Sequence, residues 1–301
     1  MKTLFGLIKR NTKMFFKDKG MFFVSMITPL ILLVLYITFL GNVYRNSYSA
    51  AMPVGFELSD KLMNGLVGGQ LFSSLLAVSC VTVAFCSNML MVQDKVNGSK
   101  NDLLISPLKK STLALSYYIS TLVSTLLICV VATLACFVYL AIVGWYLSVL
   151  DILLIFADVF LLVMFGTALS SIINHFLSSQ GQISAVGSIV SACYGFICGA
   201  YMPISSFGTG LQKVLSFSPG TYGTSLIRNH TMRGVFAEME SQGVPSMVVE
   251  GLKDSIDCNI YFFESQVSIG AMYGIMIASI AVLLGAYILI NILHIKKSNK
   301  K

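Results

Sequence analysis

The chain has 301 residues, of which 56% are hydrophobic and only 11% charged, and its net charge is +7. An ordinary soluble domain carries about 25% charged residues, so this composition excludes a single water-soluble core and makes lipid the solvent for most of the surface. The positive charge does not read as a nucleic-acid footprint, because the Lys and Arg residues gather beside apolar runs, as topology signals do. The expected fold class is all-α, a polytopic integral membrane protein of about six transmembrane helices. Cys80, Cys86, Cys129, Cys136, Cys193 and Cys198 lie in apolar runs, where Cys behaves as a small hydrophobe, and Cys258 alone falls in a polar segment. Neither a disulfide framework nor a metal site is expected, since no Cys/His group has ligand spacing.

Residues 2–19 come first. A helical projection groups Leu4, Ile8 and Phe15, flanked by Phe5 and Met14, and puts Lys9, Arg10, Lys13 and Lys17 on the other side. This predicts an interfacial helix in the headgroup plane of an anionic inner leaflet, with a disordered basic flank as the alternative. The run 21–40 is long enough to span roughly 30 Å and too long for a secretory signal core, so it is the first span. Residues 41–63, with Arg45, Glu57, Asp60 and Lys61, form a short outer loop.

The second span, 66–88, opens with Gly65, Gly68 and Gly69. Its Gln70, Ser73, Ser74 and Thr82 are polar points that lipid does not reward, so they face either packed protein or a water-filled substrate path. Next comes the polar stretch 94–107, whose small charged front half cannot sit in lipid. Ser99 is available as an N-cap, Asp102 is favourable near a helix start, and Pro107 ends the helix. Leu103-Leu104-Ile105 either offers a cytosolic partner an apolar knob or folds back on the inner ends of the flanking spans.

The third span is 115–141, and Gly144-Trp145-Tyr146 marks its outer interface. The fourth is 152–173. Asp151 reaches water at its edge, but Asp158 lies two turns inside, where a carboxylate costs about 2.5–3.5 kcal/mol and must be paired or face a cavity. A proton or substrate role and a structural pairing both remain open. After a short inner turn at 174–182, the fifth span, 183–204, carries Gly187, Ser191, Gly195 and Gly199 at intervals of four. This small-residue stripe suits close helix packing, within the chain or against a second copy. Two short helices, re-entrant or interfacial, 211–217 and 222–228, are expected in the outer segment 205–266, flanking Ser218-Pro219-Gly220. The sixth span is 267–292. His175, His230 and His294 are scattered and expected at interfaces or in solvent.

Lys and Arg number 6 before the first span, 4 in the central loop and 4 at the tail, against 2 and 4 in the outer loops, the last of which also holds six acids. The positive-inside rule therefore puts both termini and the central loop in the cytosol.

This order of elements resembles permeases of ATP-binding cassette (ABC) exporters of the ABC-2 type. Those often carry a pattern like E-x-x-x-G-T-L-E-x-L-L-x-x-P before the third span, and Asp94, Gly98, Ser99, Leu103, Leu104 and Pro107 match it in type and spacing. Lys100 and Asn101 stand where the family usually has Leu and Glu. Ser218, Pro219 and Tyr222 with the later Arg228 resemble the family's N-P-x-T-Y and following Arg, with Ser218 in place of Asn.

The resemblance implies a permease dimer, of identical or homologous chains, in a bacterial cell membrane. It also implies two ATP-binding subunits on separate chains that carry ATP and Mg, residues 94–107 being the ATPase-coupling element. This chain has no G-x-x-x-x-G-K-[ST] loop and no hydrolase or zinc-protease motif, so no catalytic residue and no cofactor of its own are expected. The few inward charges suit an amphipathic cargo such as a drug, an antimicrobial peptide or a lipid-linked molecule. Sodium or polysaccharide export, a non-transporting sensor and an intramembrane enzyme using Asp151 and Asp158 are the competing classes.

Overall fold

A computed structural model describes residues 2–52, 58–105 and 108–298; of the side chains in this range, those of Ile37, Leu104 and 292–298 lie outside the description. Pro107 is likewise outside it. The protein is an all-α polytopic membrane protein. Its helices are α1 (Lys2–Lys17), α2 (Lys19–Leu35), α3 (Gly41–Ala51), α4 (Asp60–Val96), α5 (Ser99–Ile105), α6 (Lys110–Val143), α7 (Val149–Phe176), α8 (Gln180–Ile197), α9 (Thr209–Leu215), α10 (Pro219–Ser241), α11 (Ser246–Ser255) and α12 (Ile269–Ser298), with one hairpin of β1 (Ile260–Phe262) and β2 (Ser265–Val267). Among the described residues, five stretches are long and apolar enough to cross a membrane: Lys19–Ala51, α4, α6, α7 and Ile269–Asn291.

α4 is the axle. It has 37 residues, about 55 Å at 1.5 Å per residue, and it is buried on every side against α2, α6, α7, α8 and α10. Small residues let its neighbours approach: a side chain at Gly69 would meet Met232 of α10, one at Gly65 would meet Tyr146, and one at Gly166 of α7 would meet the Cys80 carbonyl at 3.0 Å. Most of its hydroxyls bond back to their own helix, Ser73 to the Gln70 carbonyl, Ser79 to Leu75 and Thr82 to Val78.

Three expectations change here. The expected loop 41–63 is helical as far as Ala51, because a π-turn at Tyr36–Leu40 continues α2 into α3. There Tyr36, Tyr44 and Tyr48 stack at centroid spacings of 5.6 and 6.0 Å, and the Tyr36 hydroxyl donates to the Val67 carbonyl of α4. The stretch 183–204 is helical only to Ile197; α8 has 18 residues, and the chain turns at Gly199, whose φ of 73° glycine tolerates. The third change is in the outer segment. The first of its expected short helices is α9, but the second, 222–228, is the middle of α10, which is not short but 23 residues long and, of the two expected placements, is buried in the bundle.

α10 is re-entrant. Gly223 packs on Leu162, 13 residues along α7 from its outer end, whereas Gly234 passes the backbone carbonyl of Tyr146 beyond that end. Pro219 opens it as the first helical residue, where its missing amide costs nothing. Gly234→Val forces a side chain into the Tyr146 carbonyl, so we expect it to destabilise the protein by roughly 1–3 kcal/mol, read as a lower melting temperature in detergent and less folded protein in the membrane.

Candidate transport groove and coupling corner

A groove of about 1460 Å³ lies between α2–α3 and α8. It runs from Asp18, Gln93 and Gln180 at one end to Ser206, Leu252 and Ser255 at the other, the full length of the bundle. One wall is apolar, with Met21, Val24, Ile31, Leu35 and Phe39; the other presents Ser184, Gly187, Ser188 and Ser191 of α8. Among the described residues Asp18 is the one charged residue that lines it, and its carboxylate also caps α2 by accepting from the Met21 amide at 3.0 Å.

Of the small-residue stripe, Gly187 and Ser191 line this groove, and a side chain at Gly187 would meet Met89 of α4. Gly195 is different: the ring of Tyr201 from the same chain lies over it, and the Tyr201 hydroxyl donates to the Ser191 carbonyl. Gly199 serves the turn after α8. The stripe is thus split between groove, local packing and helix termination. Gln70, Ser73, Ser74, Thr82 and Asp158 do not line the groove; all five are buried inside the bundle.

Asp158 is paired. Its carboxylate accepts from the Tyr273 hydroxyl of α12 at 2.5 Å and meets His230 Nδ1 of α10 at 2.6 Å. His230 is therefore not interfacial but buried, a role that required knowing α10 to be internal. Two residues earlier on α10, Arg228 is fully buried. It donates to the Gly199 and Ile256 carbonyls and to Ser74, and lies 3.7 Å from Asp257. Asp257 in turn accepts the amides of Ile204 and Ser205. Burial raises the Asp257 carboxyl from its usual range, with Arg228 and the two amides opposing that rise, and burial pushes the Cys258 thiol up to about 12. The hydroxyl of Tyr222, a further motif residue, donates to the Ser216 carbonyl at 2.6 Å, and Ser218 precedes α10 without a side-chain cap bond.

At the opposite end of α4 the expected coupling element divides in two. Asp94 is buried and bidentate with Arg10 of α1, at 2.6 and 3.1 Å, while the Tyr117 hydroxyl of α6 donates to it at 2.6 Å. The Asp94 hydrogen bond raises the Arg10 guanidinium above its ordinary value. α1 is thus docked on protein through Leu7, Asn11 and Phe15, a stripe rotated from the Leu4, Ile8, Phe15 face read as lipid-facing. Lys95 donates to the carbonyls of Asn174, His175 and Leu177, which caps the end of α7.

Gly98, with φ of 80°, makes the corner into α5. Ser99 is the first residue of that helix rather than its cap, since the Gly98 carbonyl receives the Asn101 and Asp102 amides. Burial, then the nearby Lys110, lowers the Lys100 ammonium. Leu103 folds back onto Leu7, Met91, Leu113 and Tyr117, whereas Ile105 is 83% exposed. Of the two described side chains of this knob, the one offered outward is therefore Ile105, not Leu103. Nothing in the spacing could separate the two; only the docking of α1 does.

A bundle of membrane-long helices with a lateral groove and a docked amphipathic helix is the architecture of a polytopic membrane domain. Residues 3–231 match the family described as ABC-2 type transporter, and the chain belongs to that family. No curated protein sequence matches it. The match covers the bundle through most of α10 and stops before α11, the hairpin and α12.

Arg10→Ala leaves Asp94 with Tyr117 alone. Because charged hydrogen bonds contribute about 1.5–3 kcal/mol, we expect α1 to detach in part, measured as faster amide exchange across residues 2–17 with α4 unchanged.

Proposed function

We propose that the chain is the permease subunit of an ATP-driven exporter of amphipathic molecules, such as drugs, antimicrobial peptides or lipid-linked compounds. The carrying observation is the groove: it runs the length of the bundle, is apolar on one wall and hydroxyl-lined on the other, and has one charge at its mouth. A cargo with one apolar face slides along such walls without a desolvated charge, whereas a multiply charged cargo finds no partner there.

Two copies assemble with two ATP-binding subunits on separate chains, and those subunits carry the ATP and Mg. This chain is itself no enzyme. α8 supports the dimer, because Ala185 and Cys193 are exposed on it beside the groove wall of Ser184, Ser188 and Ala192, and small side chains suit a second helix better than lipid, so the second copy closes the groove. The protein sits in a bacterial cell membrane with both termini and α5 cytosolic, as the distribution of Lys and Arg supports. Ile105 docks in the ATPase, and Leu103 holds the inner corner together.

Two measurements test this. In a Cys193→Ser background, Ala185→Cys or Ala192→Cys should give a disulfide-linked dimer in native membranes; the absence of any dimer from both would overturn the α8 interface. Ile105→Asp should reduce cargo-stimulated ATP hydrolysis by the purified complex about tenfold, the loss of roughly 1.4 kcal/mol or more of apolar docking, with the melting temperature unchanged. Leu103→Asp should lower the melting temperature, because it opens the apolar cluster with Leu7 and Tyr117. The opposite pattern would return Leu103 to the partner surface and dismiss Ile105.

A further inference from the structure

The outer segment carries an aromatic cluster that neither the groove nor the inner corner uses, and its hairpin rings lie past the residues matched by the family. β1 and β2 pair antiparallel with Phe262 opposite Ser265, leaving the two-residue turn Phe263-Glu264. Phe263 has φ of 55°. The first position of such a turn prefers glycine, because a side chain crowds the backbone at positive φ.

The other described non-glycine residue with positive φ, Asp257, gains two backbone amides for its carboxylate. Phe263 gains only the placement of its ring, which is 54% exposed. It lies 5.0 Å from the Phe262 ring and 6.3 Å from that of Phe217, with the Lys213 ammonium 5.5 Å from its centroid. Phe217 and Val214 are 64% and 65% exposed. β2 leads directly into α12, a spanning helix on which Ile269 and Ile277 are exposed, so the hairpin stands at the start of an apolar wall.

We propose that Phe217, Phe262, Phe263 and Lys213 form an anchor for a phospholipid of the outer leaflet. Three rings presented together in water would be a large exposed apolar patch, the kind that marks an interaction surface. Continuity with the apolar wall of α12 makes the partner lipid. Aromatic rings favour the region where acyl chains meet headgroups, and a lysine at their rim reaches the phosphate while its stem lies on the rings. The strained turn is what holds the ring outward. Because Phe217 stands two residues before Pro219, the anchor fixes the start of α10, the helix that carries Arg228 and His230 into the bundle.

The test uses the full chain in phosphatidylcholine vesicles and does not depend on transport. The chain has one tryptophan, so Trp145→Phe with Phe263→Trp leaves a single indole at the hairpin tip. Phe262→Trp is the second reporter should the first not fold. Phosphatidylcholine brominated on its acyl chains is expected to quench that indole roughly twofold, with little quenching by aqueous iodide. Adding Lys213→Glu, which repels the phosphate, is expected to reduce the bromine quenching and shift the emission to the red. Iodide quenching without bromine quenching would place the hairpin in water, and quenching by neither would place it under a protein partner. Either result overturns the anchor, and an unchanged signal on Lys213→Glu overturns its phosphate contact.

Discussion

The structure depends on the complete burial of α4. Lipid leaves no water for an unpaired polar group, so a helix bearing Gln70, Ser73, Ser74, Thr82 and Asn88 is tolerated only where protein surrounds it. The solution is a ring of neighbours brought close by glycine, with Asn88 donating to Ser170 and Ser171 of α7. The polar residues that read as a candidate path are what the bundle closes around. The lateral groove lies between α2 and α8, helices that keep more of their surface open, and α4 reaches it through Cys86, Met89 and Gln93.

Charge inside the bundle follows the same constraint. Arg228, Asp158, Asp94 and Asp257 are each at least 96% buried, and each meets a partner from a different element. Their partners fix which elements move together: Asp94 joins α1, α4 and α6, Asp158 joins α7, α10 and α12, and Arg228 joins α10 to the turn after α8. A buried pair broken on one side leaves an uncompensated charge, which is costlier than never having had the pair. These contacts therefore act as fasteners between helices that hydrophobic packing alone would let slide.

Much of this was legible in the sequence, and the parts that were not share a cause. Apolar runs and their flanking lysines predict spanning helices, because transfer to lipid depends on composition summed over about 20 residues. Asp158 stood out because a lone carboxylate at that depth demands a partner. Its partner did not, because His230 sits in a polar stretch whose periodicity gives no sign that it re-enters the bundle. Ser218-Pro219-Gly220 reads as a break before a helix at 222–228, whereas Pro219 itself opens α10, and nothing local marks the length of that helix, since its 23 residues have little net apolar character. Likewise the motif containing Asp94 and Leu103 was visible, but its division into an inner fastener and an outward residue was not. That division rests on Arg10, 84 residues away, and no local pattern encodes a contact of that range.

The arrangement also bears on how a cytosolic event would reach the outer side. α4 touches the inner corner through Asp94 and Met91 and the outer re-entrant helix through Ser74, Gly69 and Gly65. A helix packed on all sides cannot bend without opening voids, because protein interiors are close-packed and repack between discrete states. On the reading proposed above, a push on α5 is carried by α1 and α4 as one body, since Arg10 and Leu103 tie them. It would arrive at α10 as displacement of Ser74 against Arg228, so the outer end would respond by shifting a buried ion pair rather than by flexing a loop. The groove beside α8 would then open or close with α10, because the Gly199 carbonyl at the end of α8 is held by that same arginine.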